Sequence, residues 1–144
     1  MANTYHSTMN RNRKYITSEW NERRKQEHYV FLYSDARKIE KGFPTVEGIE
    51  IAYINSHKSI VNKTEPTKKV ISFTPQSLDI FVIDCLNPEC SSFGYDLKKE
   101  IRTMIHNHKT EQKGELHCEG QDAPDHPEQS CEGSLKYTIR IVYK

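Results

Sequence analysis

The spacing of apolar positions changes character near residue 46. Before that point the chain is mostly polar, and what periodicity it has is helical. Residues 1–15 have none and read as a flexible arm. The stretch ITSEWNERRKQE (16–27) predicts a helix. Ser18 can cap it, Glu19 and Glu22 suit its positive end, and Arg23, Arg24 and Lys25 follow toward its C-terminal half. HYVFLY (28–33) is too short for periodicity to separate a helical continuation from a strand. SDARKIEKG (34–42) offers a Ser cap, a short amphipathic pattern and a stopping Gly42.

After residue 46 the period falls to two. GIEIAYIN (48–55) places Ile49, Ile51 and Tyr53 on one face, and KVISFT (69–74) reads as a second strand ended by Pro75. SLDIFVID (77–84) is apolar on both faces, which predicts a central strand covered from both sides. Next comes the clearest helix. In FGYDLKKEIRTMIHNHK (93–109), Leu97, Ile101, Met104, Ile105 and His108 fall on one face, so His108 should line the helix–sheet interface. ELHC (115–118) is a short strand candidate, and EGQDAPDHPEQS (119–130) is a polar loop. In CEGSLKYTIRIVYK, Leu135, Tyr137, Ile139, Ile141 and Tyr143 alternate with more polar positions, which predicts a half-buried strand. No internal repeat is evident.

These elements predict an α+β fold. An antiparallel or mixed sheet of four to five strands, drawn from 48–84 and 115–143, carries one packed amphipathic helix over 96–108. A zinc-ribbon-like cysteine cluster and a helical N-terminal arm complete it. The expected division is a basic, partly flexible arm over 1–46 and an α+β core over 47–144.

Composition adds a reason to look beyond burial for stability. Only 35% of the 144 residues are hydrophobic and 28% are charged, a thin core for this length. No segment approaches the ~20 apolar residues of a membrane span, and the polar N-terminus lacks a secretory pattern. The expected compartment is the cytoplasm, where thiols stay reduced. Net charge is +1 but uneven: residues 1–46 hold nine Lys/Arg against five acids, and 47–144 hold twelve against fifteen. Such a dipole can orient a partner.

The candidate chemistry is four cysteines, Cys85, Cys90, Cys118 and Cys131, each at the boundary of an expected element. Four thiolates from separate segments can close around one zinc ion. The spacing C-x4-C, then C-x12-C, lacks the tight C-x2-C knuckle whose backbone N–H groups point at sulfur. His117, His126 and His108 are substitute ligands. Residues 115–132 hold six acids and no Lys or Arg, so the loop between Cys118 and Cys131 needs something other than burial to hold its ends. Unligated thiols and disulfides are the competing readings.

A catalytic reading finds little support. His106-Asn107-His108 spells a nuclease motif by letters only, since positions i and i+2 on a helix diverge. Asp84, Asp96 and His117 are loose candidates, and no phosphate-cradling loop or nucleophile elbow is present. Arg11, Arg13, Lys14, Tyr15, Trp20, Arg23, Arg24 and Lys25 interleave bases with rings, a pattern that suits nucleic acid or a protein partner. The expected function is a small non-catalytic binding protein with a structural zinc site, compatible with an accessory or inhibitor protein of mobile-element type. The alternatives are a metal-dependent hydrolase or nuclease with an open zinc site, in which Asp84 or a histidine acts, and a plain domain with free thiols.

Overall fold

The computed structural model describes residues 13–57, 65–87, 90, 92–123 and 126–144, with backbone alone for 13–21, 121–123 and 126–130. In chain order the elements are α1 (Arg13–Asp35), α2 (Ile39–Gly42), β1 (Val46–His57), β2 (Thr67–Phe73), β3 (Val82–Ile83) and β4 (Tyr95–Asp96). They continue with α3 (Lys98–His106), β5 (Glu111–His117), β6 (Gln121–Ala123), β7 (His126–Ser130) and β8 (Gly133–Tyr143).

The predicted alternation builds the sheet. Four strands pair antiparallel in the order β2-β1-β8-β5. The register sets Ile49 against Ile141 and Ile51 against Ile139, so the apolar half of each central strand falls on one face. That face buries Ile49, Ile51, Leu135, Ile139 and Ile141 beneath Ile101 and Met104 of α3, with Phe81, Ile83 and Leu97 in the same core. Ile39 and Val46 are fully buried there too. Each such side chain contributes roughly 1.5–3 kcal/mol by leaving water.

Residues 77–84 correct the sequence reading. They are not a central strand of the sheet. Leu78 makes one bridge to Lys38, and β3 pairs only with β4. The double coverage read from the sequence exists in another form. Phe81 packs edge-on against Phe73 of the sheet, with ring centroids 5.0 Å apart, while Ile80 and Val82 share a small cavity with Phe31 and Leu32 of α1. The segment therefore lies between the sheet and α1, with Phe81 and Ile83 buried and Ile80 and Val82 half-buried, and this cover, not central pairing, accounts for its apolar residues.

His108 is a second correction. α3 stops at His106, and His108 takes a positive φ of 52° outside the helix. It is exposed and stacks on Tyr143 at 4.1 Å, so it lines no helix–sheet interface. The early end of α3 also lengthens the next strand: β5 begins at Glu111 rather than at Glu115. The polar loop 119–130 contains a hairpin, β6 paired with β7.

Candidate metal centre

Three connections between elements, which carry the four cysteines, meet at one end of the sheet. Cys85 follows β3 by two residues, and the Cys90 N–H donates to the Asn87 carbonyl at 3.1 Å, closing the turn between the two cysteines. Cys118 leaves β5, and its N–H donates to Gly133 O at 2.9 Å. Cys131 enters β8, and its N–H donates to Gly120 O at 2.9 Å. The β5–β8 pairing thus fixes Cys118 beside Cys131, and the β6–β7 hairpin projects from that base.

The sulfurs converge. Cys85 Sγ and Cys131 Sγ are 3.6 Å apart, Cys90 Sγ and Cys118 Sγ 3.4 Å, and all four lie within 4.8 Å of one another. A disulfide needs ~2.05 Å, whereas a tetrahedron of ~2.3 Å metal–sulfur bonds has edges of ~3.8 Å. The two sulfur pairs at 3.4 and 3.6 Å lie close to the second value and far from the first. Cys90, Cys118 and Cys131 are buried and Cys85 is half-buried. Among the described residues this is the one group of three or more His, Cys, Asp or Glu side chains whose ligand atoms approach so closely. These four cysteines could hold a metal ion.

Each sulfur also accepts a backbone N–H from two residues further on. Ser92 N–H reaches Cys90 Sγ at 3.4 Å and Gly120 N–H reaches Cys118 Sγ at 3.5 Å. Asn87 N–H serves Cys85 and Gly133 N–H serves Cys131, in both cases favouring the thiolate. The knuckle contact therefore forms at all four positions without a C-x2-C spacing. Four thiolates and a divalent ion carry a net charge of −2, and inward-pointing N–H groups are what such a cluster requires.

Two glycines make room for it. A Cβ at Gly120 would stand 2.5 Å from Cys90 Sγ, and one at Gly133 would stand 2.8 Å from Tyr95 Oη and 3.1 Å from Cys85 Sγ. Both belong to the same triplet, Cys118-Glu119-Gly120 and Cys131-Glu132-Gly133. This short repeat is the signal that a search for longer periods passes over. Tyr95 adds an orphan: among the described residues its buried hydroxyl has no hydrogen-bond partner. Burial pushes the phenol up, and the surrounding Cys85, Cys118, Cys131 and Cys90 push it further. It stays protonated as a donor facing sulfur.

The thiols alone cannot all ionise together. Hydrogen bonds from Cys118 and Cys85 lower Cys90, while hydrogen bonds to Cys118 and Cys90 raise Cys85, and burial raises Cys131. One thiolate is stabilised at its neighbours' expense, as expected for like groups competing for one proton-poor pocket. A cation at the centre removes that competition.

The remaining predicted site residues lie elsewhere. His117 and His108 are exposed and outside the cluster, and only the backbone of His126 is described, in β7. Asp96 accepts from the Lys98 N–H at 2.9 Å just before α3 begins. Asp84 accepts the Tyr29 hydroxyl, and its own carbonyl takes the Asn55 amide at 2.8 Å. Arg11 falls outside the described residues, and Arg13, Lys14, Tyr15 and Trp20 are described by backbone alone. Arg23 is exposed. Arg24 lies over the Phe93 ring at 5.1 Å, and His28 stacks on the same ring at 4.3 Å. Lys25, Tyr29, Asp84, Cys85 and Phe93 line a cleft of about 290 Å³ where α1 meets the cysteine turn.

Comparison with protein-family models, with curated proteins and with solved structures gives no match to this chain. Among the described residues no helix is long and apolar enough to cross a membrane.

Proposed function

We propose that the protein is a small non-catalytic binding module whose four cysteines hold one structural zinc ion in a zinc-ribbon-like cluster grown onto a larger sheet. The observation that carries this reading is the convergence of four sulfurs, each with its own N–H donor, from two separate parts of the chain. A tetrahedral all-sulfur set suits zinc or iron. Zinc brings no redox chemistry, and with four protein ligands it keeps no position for water. Its work is then mechanical: it ties the 85–92 turn to the base of the acidic hairpin. A reducing compartment such as the cytoplasm keeps the thiols available for it.

The open-site hydrolase is the competing reading. It needs one sulfur to yield its place to water, with Asp84 doing the chemistry. Three of the four sulfurs are buried and Asp84 is engaged by Tyr29, which favours the closed site.

Native mass spectrometry of protein purified without added metal tests the assignment. One zinc per chain is expected, and Cys90→Ser should lower zinc content and thermal stability together, because ligation and folding are coupled. A content far below one metal per chain refutes the cluster. One iron per chain, with its visible absorbance, refutes zinc and moves the site toward electron transfer.

A further inference from the structure

We propose that the face of the four-stranded sheet left open by the described residues is a docking groove for an acidic, amphipathic helical segment of a protein partner. This rests on reading the protein as a binding module and supplies the chemistry of what it binds.

The pairing register arranges the residues of this face in rows that cross the sheet from β2 to β5. One row is Lys68, Ile54, Lys136 and Glu115; the next is Val70, Ala52, Thr138 and Lys113. These two rows, with Tyr53, Lys69, Gly114 and Tyr137 between them, line a groove of about 820 Å³. Tyr53 and Tyr137, at alternate positions, point to the covered face. In the third row, Ser72, Glu50, Arg140 and Glu111, the one base is already engaged by both acids. Arg140 meets Glu111 at 3.1 Å and Glu50 at 3.5 Å.

The groove rows differ from that third row in two ways. Their floor is aliphatic and small, with Val70 62% exposed at one side, Ile54 beside it and Ala52 and Thr138 leaving space between. Their rim is basic: among the described residues Lys68, Lys113 and Lys136 have no ion-pair partner, and Glu115 is the single acid beside them. Four strands span about 14 Å between the outer backbones, enough for one helix of ~10–12 Å diameter. An aliphatic stripe on that helix would cover the floor, and carboxylates beside the stripe would meet the three lysines. The basic rim complements carboxylates on such a helix, and the aliphatic floor favours it over nucleic acid, because the two rows contain no aromatic ring to stack a base.

The test is a titration of the full-length, ¹⁵N-labelled protein with three probes. These are a synthetic 16-residue helix with leucines on one face flanked by glutamates, the same peptide with lysines for glutamates, and oligothymidylate. The acidic peptide should shift the amides of Ile54, Val70, Lys113 and Thr138. Binding should weaken at least about tenfold in the double variant Lys113→Glu, Lys136→Glu, with metal content and melting temperature unchanged. Lys68→Gln should weaken it less. Equal binding of the basic peptide, oligothymidylate on the same amides, no shifts, or concentration-dependent pairing of two copies through this face would each overturn the proposal. Because metal content is measured on the same samples, loss of the zinc assignment and loss of the groove are read separately.

Discussion

Ile51, Ile139 and Leu135 sit in the middle of the sheet with no exposed surface, packed between paired strands and α3. At the other end, the segment from Cys118 to Cys131 carries four acids, no Lys or Arg, and a two-stranded hairpin with no apolar face of its own. The first region folds because water is expelled. Among the described residues, the second is held by its own strand pairing, its sulfurs and the backbone hydrogen bonds to Gly120 and Gly133. The difference teaches that one short chain can divide its stability between two kinds of physics, and that the two should fail under different insults.

Removing the metal tests this division most severely. On the zinc-bound reading, ligation of about 10 kcal/mol leaves with the ion, and the clustered thiols, three buried and one half-buried, are left competing. Chelation should therefore release amide protection across 85–94 and 118–133 while β1 and β8 stay protected, as read by hydrogen exchange. Simultaneous loss of both regions would mean that the clamp and the sheet are one cooperative unit. The converse experiment attacks the sheet: Ile139→Ala should cost about 2–5 kcal/mol in denaturant unfolding. The zinc affinity of the protein that remains folded should be unaltered.

A finer probe is Gly120→Ala. Its new Cβ would press on Cys90 Sγ and Ser92 N, at 2.5 and 2.7 Å, so the sulfur must move. Metal affinity should fall about 10–100-fold, the usual effect of disturbing the groups that orient a ligand. The far end of the sheet should not respond. An affinity equal to wild type would remove the close approach from the case for a preformed cluster.

Legibility in the sequence followed the same division. Where burial rules, alternation read directly into structure: 48–55 and 135–143 are strands, and Ile101 and Met104 mark the packed face of α3. Where burial on two sides arises from stacked layers, as at Phe81 and Val82, the pattern could not tell a central strand from a filling. His108 fits a helical face by spacing, but the chain leaves the helix after His106 and only the backbone angle reveals it. At the cysteines, convergence depends on pairing across β5 and β8, which spacing does not encode. The N–H contacts depend on local backbone that C-x4-C does not announce. The repeated Cys-Glu-Gly did carry that information, because a residue without a Cβ two places after a cysteine lets its N–H and a second sulfur approach together.

The smallest expected effect concerns α1, which touches the sulfur end through Tyr29. Burial, then the hydrogen bond to Asp84, raise this phenol to about 12 from an ordinary value near 10. A raised pKa means that the folded protein prefers the protonated phenol. Its contribution is complete below pH 10, declines as pH rises from 10 to 12, and is gone above 12. Because Tyr29 is only half-buried and Asp84 is exposed, solvent screens the pair and the contribution should stay below about 1 kcal/mol. Measured by denaturant unfolding, Tyr29→Phe should be slightly less stable than wild type at pH 8 to 9, and the two should converge by pH 12. A gap that is absent at pH 8 and opens only in alkali would show that α1 is not seated on Asp84. The helix would then have to be separated from the clamp and treated as a third region.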